Sequence, residues 1–339
     1  MRKIRTAQIG IGHDHASGIF TTLKEMTDEV ELVGTCVPDD DDRSNEQKRA
    51  HVYEQYPRLS LEKILSDESI EAVTVETVDH LLTKYAKLAL DAGKAVHMDK
   101  PGGICADEFD AMADTALQKN LPLSLGYMYR FNPAIMELLK RIENGDLGEI
   151  LYVNAEMSCY HKPEKRKWLS QYPGGMMNFL GCHLVDLIFM LQGEPLETIP
   201  LHAESGLDGV ISEDVSFTAF RYPHGVSFAR STAVERGGVA RRNLLVVGTK
   251  GSFELKPTEY RAFDDPAISG DILKSDYRYT FDPAWRASGE TETTEPFHRY
   301  RDMMEAFCGY VRGEKENRFT PDYEKKLHRL LLRACGVKL

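Results

Sequence analysis

The 339-residue sequence has no excess of positive charge, no closely spaced cysteine pair and no long apolar run. Its 42 Lys and Arg residues against 53 Asp and Glu residues give a net charge of −11, a field that repels nucleic acids and anionic membranes. Its 6 cysteines form no C-x-x-C pair, which argues against a zinc cluster and a disulfide scaffold. No apolar run approaches the ~18 residues that span a bilayer. We therefore predict a cytoplasmic protein without nucleic-acid or membrane partners.

The first part of the sequence alternates between strand-like and helix-like segments. The predicted strands are Ile4–Ile11, Glu31–Val37, Ala72–Val75, Ala95–Met98 and Pro122–Leu125. Helical spacing follows at Ala16–Met26, Leu81–Ala92 and Cys105–Lys119. This alternation predicts an α/β, Rossmann-type parallel sheet domain over residues 1–125.

The rhythm changes after residue 125. The later predicted strands are Ile150–Ser158, Val215–Tyr222, Val226–Ala233, Leu244–Val247 and Ser252–Leu255. They predict an α+β substrate and oligomerisation domain over residues 126–339, built on a large, mostly antiparallel open sheet. We expect helices Leu184–Gln192 and Phe297–Val311 to cover one face, and a second subunit to cover the other in a homodimer or homotetramer. We expect the terminal helix Asp322–Arg333 to pack back on the first domain.

A glycine turn, Gly10-x-Gly12, lies between the first strand and the first helix. Such a turn offers backbone amides to a pyrophosphate at a helix N-terminus. The third position of the G-x-G-x-x-G pattern is His15, and we do not favour a metal pair with His13 because no carboxylate or third histidine clusters with them in the sequence. The acidic loop from Asp39, after the second strand, favours NAD over NADP.

Five ordered motifs resemble the Gfo/Idh/MocA oxidoreductases, the relatives of glucose-fructose oxidoreductase and inositol dehydrogenase. The motifs are T-V-D-H-L at 77–81, A-G-K-x-V-x-x-D-K-P at 92–101, G-Y-M-Y-R-F-N-P at 126–133, the glycine pair at 174–175 with G-x-H-x-x-D at 181–186, and G-T-K-G at 248–251. The resemblance covers nearly the whole chain. It implies an NAD(P)-dependent oxidoreductase acting on a secondary alcohol or ketone of a sugar, cyclitol or related polyol.

The resemblance also implies roles for individual residues. Lys100 would stabilise charge on the reacting oxygen, and His183 would exchange the hydroxyl proton. The expected cofactor-binding residues are Gly10, Gly12, His13, Asp14, His15, Asp39, Thr77, Asp79, His80, Asp99 and Lys100. The expected substrate-binding residues are Tyr127, Arg130, Trp168, Asn178 and His183.

One position departs from the family pattern. Many members have an aspartate four residues before the histidine, whereas this sequence has Phe179, which cannot orient an imidazole by hydrogen bonding. Asp186 is the nearest carboxylate in sequence and shares a helix face with His183, although a structural role fits it equally. An NAD-dependent glycosidase-type elimination and a nonenzymatic cofactor-binding sensor therefore remain alternatives.

A basic segment, Tyr160–Trp168, stands out in this acidic chain. It has two interpretations, a solvated loop or a site for an anionic substrate with Trp168 stacked on a sugar ring. Arg236, Arg241 and Arg242 form a second basic stretch, which either reaches a neighbouring subunit or faces solvent.

Overall fold

The computed structural model of the protein describes residues 2–44, 46–260 and 272–339. Backbone contacts divide the chain into two compact units. The first comprises Met1–Tyr127 and Tyr300–His328, and the second comprises Met128–Arg299 and Arg329–Leu339. Residues 300–328, assigned above to the second domain, therefore belong to the first unit.

The first unit contains a five-stranded parallel sheet in the order β2-β1-β3-β4-β5. Its strands are β1 (Ile4–Ile9), β2 (Val30–Cys36), β3 (Ala72–Val75), β4 (Ala95–Met98) and β5 (Leu123–Leu125). Strands β3, β4 and β5 are buried along their whole length, which explains their continuous runs of mainly apolar residues. The α/β prediction for this part of the chain is confirmed.

Helices connect these strands. They are α1 (Ala16–Glu25), α2 (Glu46–Tyr53), α3 (Leu61–Ser66), α4 (Leu82–Asp91) and α5 (Ala106–Lys119). Helix α1 buries Ile19, Phe20 and Leu23, the apolar residues that predicted it from their spacing. Because every strand is parallel, the loops after β1, β3 and β4 emerge at the same edge of the sheet.

The second unit contains a large sheet in the order β13-β12-β11-β10-β6-β9-β8-β7, with β14 paired to β12. Its strands are β6 (Ile150–Glu156), β7 (Glu197–Ala203), β8 (Val215–Tyr222), β9 (Gly225–Thr232), β10 (Asn243–Gly248), β11 (Ser252–Tyr260), β12 (Ile272–Thr280), β13 (Glu290–Thr293) and β14 (Phe297–His298). Neighbours pair antiparallel, except that β6 pairs parallel with β9. The prediction of a mostly antiparallel sheet is confirmed.

Three helices belong to the second unit before its last strands. They are α6 (Pro133–Glu143), α7 (Pro163–Leu169) and α8 (Cys182–Gln192). Helix α8 is buried over nearly its whole length and packs on β6 and β9, as expected for a helix that covers one sheet face. A π-helical turn, Met177–Gly181, leads into it.

Two more helices complete the chain, α9 (Arg301–Arg312) and α10 (Pro321–Ala334). The prediction that the helix near 297–311 covers the second sheet is wrong, because α9 packs on α1 and β1 of the first unit. The Tyr300 ring before α9 lies against Gly18 of α1, where a Cβ would come within 2.6 Å of it. In the same unit, the His328 ring of α10 stacks on Phe109 of α5 at a centroid distance of 4.1 Å.

Across the three described ranges, no helix combines the length and apolarity needed to cross a membrane.

Candidate active site

The glycine turn after β1 packs closely against the loop after β3. Gly10 has a φ of +92°, and a Cβ there would lie 2.5 Å from the backbone nitrogen of Thr77. A Cβ on Gly12 would lie 2.9 Å from the backbone nitrogen of Val78. Both glycines are therefore required by backbone approach, and Thr77 lies at the turn as predicted.

The carboxylate at this turn is that of Asp41, which is 7% exposed. Its oxygens accept hydrogen bonds from the backbone nitrogens of Ile11 at 2.8 Å, Gly12 at 3.0 Å and Val78 at 2.9 Å. Burial raises the pKa of this carboxyl, and the backbone hydrogen bonds oppose that rise. Sequence reasoning missed Asp41, because nothing in a run of four aspartates indicates which one turns inward.

The predicted Asp39 does not reach the turn. Its side chain is fully exposed and lies 3.6 Å from the Arg43 guanidinium. Its neighbour Asp40 accepts hydrogen bonds from Lys84 and Tyr85, which hold the pKa of Asp40 below its usual value.

His13 and His15 converge on Asp99 at the carboxyl end of β4. The Nδ1 atom of His15 lies 3.0 Å from Asp99 Oδ2, and the Nδ1 atom of His13 lies 3.2 Å from the same oxygen. Asp99 and His13 are buried, and the His15 side chain is 17% exposed. The fold therefore brings to the two histidines a carboxylate that is distant in the sequence, since Asp99 follows β4 and lies 84 residues from His15.

Glu76, at the end of β3, is a second buried carboxyl that sequence reasoning missed. It is 0% exposed, its Oε2 lies 3.9 Å from His13 Nδ1, and Asp99 is within hydrogen-bonding reach when one of the two acids is protonated. Burial and the neighbouring Asp99 carboxylate hold the pKa of Glu76 well above its usual value. Glu76 directly follows β3, and the apolar pattern of that strand does not indicate that the next side chain is buried.

Lys100 follows directly in the chain and is only 2% exposed. Its backbone nitrogen donates to Asp99 Oδ1 at 2.7 Å, and its peptide bond to Pro101 is cis. Of the other predicted cofactor-binding residues, Thr77 and Asp79 are buried, whereas Asp14 and His80 are exposed. Tyr127, which we expected to bind substrate, is buried at the last position of the segment Met1–Tyr127.

In the second unit, His183 lies on α8 and is 2% exposed. The ring of Tyr129 meets it edge-to-face at a centroid distance of 5.0 Å. Asp186, on the same helix, accepts from Arg130 Nη2 at 2.7 Å and from its Nε at 3.0 Å, and both side chains are buried. The Arg130 guanidinium, predicted to bind substrate, is thus engaged by Asp186 in a buried ion pair.

Phe179 belongs to an aromatic cluster with Trp168. Their ring centroids are 5.5 Å apart, and Lys165 Nζ lies 3.6 Å from the Trp168 centroid and 4.3 Å from that of Phe179. Phe179, at the position where the resemblance led us to expect an aspartate, therefore packs its ring against the Lys165 ammonium. The predicted substrate residue Asn178 is buried and forms a side-chain hydrogen bond with Cys335.

The two basic stretches are partly structural. The predicted loop at 160–168 contains helix α7, and Arg166 is completely buried with Asp214 at 3.2 Å and Asp208 as ion-pair partners. Arg242 is also buried and donates to Glu259 at 2.5 Å. Arg236, in the second basic stretch, instead lies over the Tyr160 ring, with its Cζ atom 4.0 Å from the ring centroid.

Two family models match this chain. The model described as "Oxidoreductase family, NAD-binding Rossmann fold" matches residues 4–127, and the "GFO/IDH/MocA C-terminal domain" matches residues 135–254. Together they cover most of both units.

The related proteins include dehydrogenases. Trans-1,2-dihydrobenzene-1,2-diol dehydrogenase of Bos taurus is 28% identical over 258 residues, 72% of this chain and 73% of that protein. The scyllo-inositol 2-dehydrogenase (NADP(+)) IolW of Bacillus subtilis (strain 168) is 26% identical over 198 residues, 57% of this chain and 54% of that protein. The crystal structure of aldose-aldose oxidoreductase from Caulobacter crescentus, complexed with glycerol, matches with a TM-score of 0.78 at 20% identity and 100% coverage of both chains. That last likeness concerns the fold.

Proposed function

Because this chain belongs to the GFO/IDH/MocA oxidoreductase family, with its NAD-binding Rossmann domain, we propose that it transfers a hydride between a nicotinamide dinucleotide and a secondary alcohol or ketone. The proposed substrate is a sugar, cyclitol or related polyol, because a dihydrodiol dehydrogenase and an inositol dehydrogenase are among its relatives. One observation carries the proposal: the glycine turn, the Thr77 loop and the Asp99-Lys100 strand end meet at one edge of the sheet.

Lys100 is the proposed catalytic cation. The dinucleotide, when bound, supplies the hydride chemistry, and the protein supplies orientation and electrostatics. An ammonium at this strand end stabilises negative charge on the substrate oxygen as the hydroxyl is oxidised or the carbonyl reduced. The hydrogen bond from the Lys100 backbone nitrogen to Asp99 fixes the main chain from which this side chain projects.

His183 is the proposed proton carrier. An imidazole titrates near neutral pH and exchanges a hydroxyl proton without a large driving force. Tyr129 restrains its ring by edge-to-face packing, and Asp186 is held by Arg130. We therefore propose that packing against Tyr129 contributes to the orientation of His183.

The glycine turn fits the adenosine end of a dinucleotide. Its tight backbone approach at Gly10 leaves no room for a side chain, and Asp41 is the carboxylate nearest the turn amides. A carboxylate there accepts hydrogen bonds from ribose hydroxyls and repels a 2′-phosphate. We therefore propose NAD as the preferred cofactor, with Asp41 in the role that the sequence suggested for Asp39.

The aromatic cluster of Trp168 and Phe179 is the proposed sugar-facing surface. Trp168 offers a ring for stacking, and the Lys165 ammonium lies on both aromatic faces. A positive charge held in this way favours a substrate that carries a carboxylate or phosphate as well as hydroxyl groups. A sugar acid or a sugar phosphate satisfies that description.

Titration of the purified protein with NADH and with NADPH tests the cofactor assignment. We expect both tryptophan quenching and enhanced nicotinamide fluorescence, with tighter binding of NADH. Failure of both dinucleotides to bind contradicts the proposed function.

A panel of polyols, sugar acids and sugar phosphates, followed at the absorbance of reduced nicotinamide, then tests the reaction. Turnover with no net absorbance change indicates an elimination that retains its cofactor, in place of the proposed dehydrogenation.

We also propose that a second copy of the chain covers the open face of the large sheet. Strand β7 alternates between exposed and half-buried residues and exposes Leu201 at 58%. Light scattering should show a dimer or tetramer that Leu201→Lys weakens, while Leu117→Lys on the exposed side of α5 does not. A monomeric wild-type protein contradicts this proposal.

A further inference from the structure

We propose that His13, His15, Asp99 and Glu76 form a binding site for a divalent transition metal, with Zn²⁺ as the best fit. The site lies at the sheet edge of the first unit, where the loops after β1, β3 and β4 meet. The proposal does not depend on the dehydrogenase activity, because it rests on the donor atoms alone.

The donor atoms of the proposed site lie close together. One nitrogen from each histidine and one Asp99 oxygen lie within 4.8 Å of one another. Asp99 Oδ2 is 3.0 Å from His15 Nδ1 and 3.2 Å from His13 Nδ1, and Glu76 Oε2 is 3.9 Å from His13 Nδ1. Ligand bonds of about 2.0–2.2 Å in a tetrahedral zinc site place neighbouring donors roughly 3.3–3.6 Å apart. The three separations of 3.0, 3.2 and 3.9 Å bracket that spacing.

Two contacts at His13 Nδ1 make opposite hydrogen-bonding demands on that atom. The backbone nitrogen of His15 donates to this atom at 3.2 Å, which requires a lone pair there. Asp99 Oδ2, also an acceptor, faces the same nitrogen at 3.2 Å. Protonating Nδ1 satisfies the carboxylate but opposes the His15 N–H, so neither tautomer satisfies both contacts. A cation between the imidazole and the carboxylate removes the repulsion, at the cost of the hydrogen bond from the His15 amide.

Glu76 adds a second acidic group beside these donors. Its carboxyl is completely buried, and its Oε2 lies 3.9 Å from His13 Nδ1. Asp99 is within hydrogen-bonding reach of it, an arrangement that requires a proton between the two carboxyls. A divalent cation ligated by both carboxylates takes the place of that proton and balances their charge.

The surroundings hold these donors in place. The His13 backbone nitrogen donates to the Glu76 carbonyl at 3.0 Å, which ties the turn to β3. The Lys100 backbone nitrogen donates to Asp99 Oδ1 at 2.7 Å, which leaves Oδ2 for the histidines. Such outer hydrogen bonds fix the orientation of metal ligands. The partial exposure of His15 gives an ion access from solvent.

The chemistry of the donors selects the metal. Two imidazoles and two carboxylates suit Zn²⁺, or Fe²⁺ if one position stays open, whereas Mg²⁺ and Ca²⁺ prefer oxygen ligands. The sulfur-free set and the spacing above favour Zn²⁺.

Metal analysis of untagged protein, purified without chelators, tests the proposal together with cobalt reconstitution of the chelator-treated chain. We expect about one equivalent of zinc per chain and visible cobalt bands typical of four-coordinate nitrogen and oxygen ligation. Added Zn²⁺ should also raise the melting temperature of the chelator-treated protein, because it binds only the folded site. No cobalt bands and no bound zinc in the folded wild type overturn the proposal.

Matched variants locate the metal. Losing a ligand should weaken binding by more than the ~10–100-fold that outer-shell changes cost, so His15→Ala and Asp99→Asn should abolish the cobalt bands. His51→Ala, which removes an exposed histidine of α2, should bind like wild type. If His15→Ala does not fold by circular dichroism, His15→Gln serves in its place. Equal binding by the folded His15 variant and by His51→Ala places the metal elsewhere and overturns the proposal.

NADH titration of the same samples separates this result from the proposed function. Cofactor binding by a protein that takes up no zinc contradicts the metal site alone. Zinc uptake together with no NADH binding by the chelator-treated, metal-free protein contradicts the dehydrogenase assignment alone.

Discussion

Two buried groups of charged residues, one in each unit, are paired in opposite ways. At the sheet edge of the first unit, Asp99, Glu76 and two histidines come together from three separate loops, and several of their polar atoms lack a satisfied hydrogen bond. On α8 of the second unit, Asp186 is fully matched by the bidentate guanidinium of Arg130. Incomplete pairing is characteristic of sites that await a ligand, whereas complete pairing is characteristic of structural ion pairs.

We therefore expect ligand binding at the sheet edge of the first unit and a stabilising role for the Arg130–Asp186 pair. These expectations can be tested by removing one charged group at a time. The largest effect is expected at Lys100.

Lys100→Ala should lower kcat by about 10²–10³-fold or more, because it removes the cation that stabilises charge on the reacting oxygen. Steady-state kinetics on an identified substrate measure this. Because Lys100 is buried, urea unfolding of the same variant separates a loss of chemistry from a loss of stability. Lys87→Ala, which removes an exposed lysine paired with Asp91 on α4, is the control and should keep full turnover. Full turnover by Lys100→Ala removes the proposed site.

Arg130→Met should destabilise the second unit by about 3–5 kcal/mol, because it leaves the buried Asp186 carboxylate without its partner. Urea unfolding measures the loss. The control Arg230→Met breaks the partly exposed pair with Glu156 and should cost at most about 1 kcal/mol. If both variants are equally stable, Arg130 is not a structural ion-pair residue and its predicted role in substrate binding returns.

Asp41→Asn should weaken NADH binding by about 10–100-fold, which corresponds to the roughly 1.5–3 kcal/mol of a hydrogen bond to a charged group. The asparagine side chain has one acceptor oxygen, so it cannot accept hydrogen bonds from the three backbone nitrogens and from a ribose hydroxyl together. Fluorescence titration compares it with Asp39→Asn, whose exposed side chain should not matter. The reverse order of effects restores Asp39 as the ribose-binding residue.

Glu259→Gln is expected to have the smallest effect, about 1–3 kcal/mol at neutral pH, since it weakens two buried charged contacts. Burial alone raises the pKa of Glu259, but Arg299 and Arg242 outweigh it and hold that pKa below its usual 4.5. The carboxylate therefore stabilises the fold above its unfolded pKa, and this contribution disappears as the pH falls through the folded value.

Urea unfolding at pH 7 and at a series of values below 4.5 checks this prediction. The wild type should lose stability more steeply than Glu259→Gln as the pH falls, and the two should approach each other. Parallel pH profiles contradict the stabilising role of the ion pair.

The sequence predicted the periodic elements and the motif positions well. Buried parallel strands such as β3 and β4 appear as short apolar runs, and Gly10 marks a turn that only glycine can make. It failed for α9, because an amphipathic helix shows that it has a buried face without showing which sheet receives that face. It did not indicate which of Asp39 and Asp41 turns toward the glycine turn, because neighbouring aspartates carry no signal of direction.

The sequence by itself therefore determined the α/β order, the open antiparallel sheet and the family, since these follow from local periodicity and from motifs a few residues long. Only the tertiary structure decided which charged groups meet. His15 and Asp99 are 84 residues apart, and Arg130 and Asp186 are 56 apart. Their contacts depend on strand order and helix packing, so the electrostatics of both units emerges only once the chain is folded.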